Sequence, residues 1–450
     1  GIYNTASAAC SFIGGGCSNS ITSPYSQNKF DIIVGGDNNT ISNAYNSCNS
    51  TIVGGKDNSM SNSYGQFRFI GGGCCNCIDA YYSLGVIVGG KSNTLGGSSE
   101  GGFIGGGTSN SVCYNGNIVG GKCNFECGVH GFIGAGKNNS ISGYNHCEGV
   151  IVGGCCNSIS GAYCKQSFIG GGCQNLIGNA HNAVIVGGVL NTGSGACSFI
   201  GGGCNNINAR DFGVIGGGYN NGLYGIKSFI GGGEYNRITY CSERVSIVGG
   251  SYNTASDGSC DSFIGGGCKN IIDKGCLSSI IGGSCNYISG SVAAGVVCNA
   301  VIVGGTLNTA SGACSSIGGG NNNSISGIYT SQVVIGGGCG NTVSTYSAMS
   351  TIGGGDSNSI SYSAYNTIAG GCCNTISSGY GCSTIGGGTS NTISGYNHNS
   401  STIAGGDSNS ISGYGVYATI AGGCLNTATG ACSFIGGGDR NEVVGIGSVI

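Results

Sequence analysis

The pattern I-x-G-G-x-x-N-x-I returns along the whole chain, and no other feature restricts the fold as tightly. Its Asn stands at Asn19, Asn39, Asn58, Asn76, Asn93, Asn110, Asn124, Asn139, Asn157, Asn175 and so on to Asn441, giving 26 complete units spaced 14 to 22 residues apart. Six residues before each Asn there is an Ile, and three before it a Gly. Four before it there is a Gly in every unit but one, where Ala135 stands. Two after it the residue is apolar, except at Glu126, Gly193 and Asn208. All length variation falls between that residue and the next Ile. A rigid core with one variable connection describes a solenoid, whose turns touch only their neighbours.

The glycine density and the short period exclude helices. Two short strands joined by a Gly corner fit the unit: x-Ile-x-Gly, then Asn-x-Ile-Ser. Strand side chains alternate between faces, so Ile13 shares a face with Gly15, and Asn19 with Ile21. These four are expected inside the turn. Stacking turns about 4.8 Å apart then makes ladders of Ile, Gly, Asn and Ile. A buried amide needs partners; a stacked column supplies them to Asn19, Asn39, Asn58, Asn76, Asn157, Asn175 and their equivalents. Gly16 is expected at a positive-φ corner, and Gly15 where the roll is too narrow for a Cβ. The expected architecture is an all-β parallel β-solenoid of about 26 turns, two strands per turn, running as one domain over 1–450 for roughly 120 Å.

The two outer faces differ. After the Asn comes usually Ser or Thr (Ser20, Thr40, Ser59, Thr94), so the second strand faces water. The first strand carries Phe12, Phe69, Phe103, Phe132, Phe168, Phe199, Phe229, Phe263 and Phe434, each with Gly two residues on. Where that second site is Val, Ile or Ala (Val34, Val53, Val88, Ile281, Ala369), the first is never Phe. Trading volume between neighbouring sites is a property of packed surfaces. An apolar column of this length also exceeds the patch of a few hundred Å² usual on monomers. This face is therefore expected to be buried against another copy of the chain; the alternative is that each ring lies over its own glycine. From Thr351 to Thr419 the first site becomes Thr.

Composition narrows the function. There are 99 Gly but one Pro, which excludes collagen; 39% of residues are apolar and 7% charged, which excludes disorder. No apolar run approaches a membrane span, and a net charge of −3 offers nucleic acid no basic surface. Glu100, Glu126, Asp211 and Glu243 form no acid–base pair, and His130, His146, His181 and His398 are scattered and read as surface residues. No enzyme activity and no cofactor are expected. Loop tyrosines such as Tyr45, Tyr64, Tyr144, Tyr163, Tyr380 and Tyr396 read as packing across turns.

Cysteine is abundant at 29 residues, about half at the two variable corner positions. Candidate disulfides join consecutive corners: Cys155 or Cys156 with Cys173, and Cys268 with Cys285. So much Cys with so little charge suggests an exposed, oxidising location. Cys74, Cys75 and Cys77 form C-C-N-C, but no paired sets with zinc spacing occur, so no metal is expected. The chain opens and closes inside the pattern and reads as a segment of a longer protein.

Units such as NTASGACSSIGGG (308–320) and NTISGYNHNSSTIAGG (391–406) resemble the Gly-rich head repeats of YadA-like trimeric autotransporter adhesins and of phage and large-DNA-virus fibres. The resemblance implies a left-handed β-roll, three parallel chains side by side, and a role in attachment to a host surface protein or glycan. Together the readings predict a structural shaft of an extracellular, cell-surface or virion-surface fibre, self-associating as a homotrimer. The alternatives are a sheath or functional-amyloid-like filament of stacked solenoids, and, further off, an ice-binding or carbohydrate-active β-helix.

Overall fold

The computed structural model describes residues 1–23, 30–43, 48–62, 64–81, 84–97, 101–143, 148–290, 297–396 and 398–450. Glu100, Tyr45, Tyr144 and His146 lie outside the described residues. The fold is all-β, a parallel β-solenoid of about 24 turns in two sheets. It divides into two compact units, Gly1–Asn220 and Asn221–Ile450, both built from the same turn.

The first sheet takes a two-residue strand from each turn, such as Thr51–Ile52 and Phe69–Ile70 in the first unit and Ser246–Ile247 and Phe263–Ile264 in the second. The second sheet takes the strand after the Asn, such as Thr40–Asn43 and Ser158–Ser160, or Ser324–Ser326 and Thr342–Ser344. Each strand pairs in parallel with its equivalent one turn away, Ile to Ile: Ile33 with Ile52, Ile52 with Ile70, and Ile247 with Ile264. A slip of one residue would turn every Ile outward, so the hydrophobic ladder fixes the register.

The core lies between the sheets. Ile52, Ile70, Ile41 and Ile78 are fully buried, as are Ile247, Ile264 and Ile325. Burying each such side chain contributes about 1.5–3 kcal/mol, against which the chain loses conformational entropy. The connections close the core with small residues, among them Ala180 and Ala183 in the first unit and Ala300 and Ala418 in the second.

The corner explains the invariant glycine. Gly16 has φ 90° and Gly36 φ 103°, and a Cβ on Gly16 would meet the carbonyl oxygen of Gly36 in the next turn. The residue two before the Asn then bridges its equivalents, Cys17 to Asp37 to Lys56 to Cys74. The residue one before the Asn is also left-handed, although it is not glycine: Ser18 (φ 54°), Asp57 (φ 54°) and even Leu190 (φ 59°). That conformation costs an ordinary residue about 1–2 kcal/mol. The stack holds it, since Asn38 N–H donates to Cys17 O of the preceding turn at 2.9 Å. Nothing in the sequence marks this position, because its side chain points outward and varies freely.

Gly15 departs from expectation. A Cβ there, or on Gly35, Gly89 or Gly171, would meet nothing within 4 Å. The roll is not too narrow at this position, and Ala135 occupies it without strain. What the position supplies is its carbonyl, which accepts from the Asn four residues on: Asn19 Nδ2 donates to Gly15 O at 2.9 Å, and Asn139 Nδ2 to Ala135 O at 3.0 Å.

Candidate functional site

The Asn column is buried from Asn19 to Asn426, with Asn19, Asn39, Asn58, Asn76, Asn157 and Asn175 at most 1% exposed, and the last member, Asn441, is half-buried. Asn157 shows its bonding. Its Nδ2 donates to Gly153 O and to Gly172 O, both at 3.0 Å. Its Oδ1 accepts the Asn175 backbone N–H at 3.0 Å and Asn175 Nδ2 at 3.1 Å. Each Asn thus ties its own corner to the next corner and to the next Asn. The principal bonds run from amide to backbone, with amide-to-amide contacts secondary. Only a side chain with an acceptor and two donors at this reach can do both. Ile13 lies in the first strand and is half-buried at the chain start, and Ile21 is fully buried beside Asn19.

The outward face of the first sheet carries an apolar stripe. In the first unit Val88 and Val119 are each 50% exposed and Phe132 37%; in the second, Ile281 is 50% exposed and Phe229 40%. Phe-bearing turns alternate with smaller ones, so that Phe69 pairs with Val86, Val86 with Phe103, Phe132 with Val150 and Val150 with Phe168. The exchange of volume is satisfied within one chain. A Cβ on Gly71, Gly105 or Gly170 would lie 3.2, 3.4 or 3.3 Å from the ring of Phe69, Phe103 or Phe168, so each ring rests on its own glycine. The same holds for Phe12, Phe132, Phe199, Phe229, Phe263 and Phe434 over Gly14, Gly134, Gly201, Gly231, Gly265 and Gly436. The inference from conserved volume to a covered face therefore fails, and what remains is the exposure of the Val and Phe columns.

The outward face of the second sheet is polar, and in the second unit it becomes regular. From Thr309 and Ser311 to Thr427 and Thr429, both outward positions of every turn hold Ser or Thr. Among the described residues, none of these hydroxyls between Ser324 and Thr427 bonds to protein.

Every described cysteine is a free thiol. Cys155 and Cys173 face each other across consecutive corners. Cys268 does not face Cys285 but Ser284; Cys285 lies one position over, its N–H donating to Cys268 O at 2.8 Å. The candidate pair Cys268–Cys285 therefore does not share a column. Three sequence-adjacent pairs bring sulfurs together: Cys74–Cys75 at 3.0 Å, Cys155–Cys156 at 3.3 Å and Cys372–Cys373 at 3.0 Å.

Polar groups also enter the core where the sequence gives little warning. Asp31, Asn43, Ser50 and Arg68 are all buried. Asp31 accepts from Asn43 Nδ2 at 2.9 Å and from Ser50 N at 3.0 Å, while Arg68 donates to Asn43 Oδ1 and, at 2.6 Å, to Ser61 O. Burial pulls the Arg68 pKa down to about 10 and pushes that of Asp31 up. Glu126 replaces the second-strand Ile. Burial raises its pKa to about 8; Oε1 accepts from Gly128 N at 2.8 Å, and Oε2 has no partner. His398 is not a surface residue: it is fully buried, donating from Nε2 to Ser377 O at 2.8 Å with Nδ1 3.3 Å from Ser383 Oγ. His130 is exposed, and His181 packs against Tyr163 with ring centroids 5.8 Å apart. Some loop tyrosines meet across turns, Tyr64 tilted against Tyr81 and Tyr329 stacked on Tyr346, whereas Tyr380 and Tyr396, also expected to pack, are 75% and 92% exposed.

No protein-family model and no curated protein matches the chain. Among the described residues, no helix is long and apolar enough to cross a membrane.

Proposed function

We propose that the chain is a structural shaft segment of an extracellular, cell-surface or virion-surface fibre, assembling in parallel with further copies of itself as a trimer. The observation that carries this reading is the exposed Val, Ile and Phe stripe of the first sheet. Such a patch marks a protein contact. A second copy suits it for a geometric reason: two parallel solenoids share one axial rise, so from Phe69 to Phe263, where a ring recurs at every second turn, each ring meets its counterpart. The test is sedimentation velocity of the native chain against the triple variant V88K/V119K/V152K, whose positions are half exposed and whose charges leave the core untouched. The native chain sediments as an oligomer and the variant as a monomer of 44.1 kDa. Native and variant chains that both sediment as monomers overturn the reading.

A second reading, ice binding, is favoured by the hydroxyl array of the second unit. It repeats at the sheet spacing of about 4.8 Å along the stack, and between Ser324 and Thr427 its hydroxyls have no protein partner among the described residues. Thermal hysteresis that disappears in T375K/T392K would support it; a freezing point equal to the melting point would remove it.

A further inference from the structure

The three vicinal cysteine pairs differ in what stands beside them. At Cys74 and Cys75 a carboxylate joins from the preceding turn: the ligand atoms of Asp57, Cys74 and Cys75 all lie within 4.8 Å of one another. Two sulfurs bound to one ion at about 2.3 Å stand at most about 4.6 Å apart, and these two are 3.0 Å apart. The corner fixes the arrangement. Cys74 sits in the bridged column and Cys75 takes the left-handed residue (φ 58°), with its N–H donating to Lys56 O of the preceding turn. Asp57 holds the same left-handed position one turn earlier (φ 54°). Lys56 and Lys91 flank Cys74 in its column, with Lys56 drawn 3.3 Å from Asp37.

Oxidation is a poor use of this pair. Neighbouring Cα atoms are about 3.8 Å apart, short of the roughly 4.4–6.8 Å that disulfides span. A bridge within the pair would distort the corner that the glycine and asparagine columns hold. A shared ion asks only for side-chain rotation and the loss of two thiol protons.

We propose that Asp57, Cys74 and Cys75 form a binding site for a soft, thiophilic metal cation. Two thiolates and one carboxylate form a donor set that favours such ions over hard ones. The pairs at Cys155–Cys156 and Cys372–Cys373 serve as internal comparisons, because no group of three ligands forms around them among the described residues.

The test uses Cd²⁺ as the probe. The reduced chain receives one equivalent of Cd²⁺, free thiols are alkylated with iodoacetamide, and the protected cysteines are mapped by mass spectrometry. Cys74 and Cys75 should alkylate at least tenfold more slowly than in chelator, and more slowly than the other two pairs. In D57N the protection should fall to the level of those pairs, with an unchanged circular dichroism spectrum confirming the fold. Protection should strengthen from pH 6 to pH 8, since binding releases protons. Alkylation of Cys74 and Cys75 at the chelator rate, or protection that D57N leaves unchanged, would overturn the proposal.

Discussion

Replacing Asn157 by alanine isolates the contribution of one step in the asparagine column. Among the described residues, the change removes the only acceptor of the buried Asn175 N–H and the only donor to Gly153 O, while Gly172 O keeps the Cys155 N–H at 2.9 Å. A buried group left without its partner costs about 1–3 kcal/mol; the Gly153 carbonyl, only half-buried, adds about 1–2 kcal/mol, for a local loss of about 2–5 kcal/mol. Because solenoid turns interact with their neighbours alone, the damage should stay within a turn or two of residue 157. Native-state hydrogen exchange reads this directly. The Asn175 amide should exchange faster by a factor of about 30 to several thousand, at about 1.4 kcal/mol per tenfold, while amides near Asn58 keep their rates. Ser158→Ala, on the neighbouring outward position, should change exchange by less than threefold. If Asn157→Ala leaves the Asn175 amide as protected as before, the column is not what holds the corners together.

Three other outcomes follow from the same geometry. Gly172→Ala should cost several kcal/mol and Gly171→Ala less than about 1 kcal/mol in chemical denaturation, because only Gly172 combines φ 86° with a next-turn carbonyl in the path of a Cβ. Glu126 should make the first unit less stable as pH rises: its folded pKa of about 8 lies above the ordinary 4.5, so the native state holds its proton longer. Stability is then full below pH 4.5, falls between 4.5 and 8 by at most about 5 kcal/mol, and levels off above; Glu126→Gln should flatten the profile, and a flat native profile would show the carboxylate to be solvated. Arg68→Leu should lower the melting temperature more than Asp31→Asn does, since it removes the donor to Asn43 Oδ1 and Ser61 O and the positive charge near Asp31, whereas Asp31→Asn keeps an acceptor for the Ser50 N–H.

Much of the fold is legible in the sequence because the repeat is averaged over many turns. A single Asn with Ile two residues on means little; 26 of them at a fixed offset from Ile and Gly determine strands, faces and parallel pairing together. Individual departures are harder to read. Arg68 and Asp31 lie in connections that vary in length, so no offset places them inside, and His398 enters the core from such a connection. Glu126 breaks the pattern at a core offset, which places its backbone but says nothing of the carboxyl's protonation. The volume exchange between Phe and Gly was visible, but sequence alone does not separate a ring resting on its own glycine from one pressed by a neighbouring chain. The carboxylate beside Cys74 and Cys75 comes from a residue 17 positions upstream of Cys74, and only the stacking of turns brings it there.

Self-assembly is the claim on which the proposed shaft depends, and the mass of the native particle tests it most directly. Mass photometry of the chain, with and without reductant, should give a species near three times 44.1 kDa in both conditions, held by the apolar stripe and not by disulfides. A single species at 44.1 kDa would contradict it.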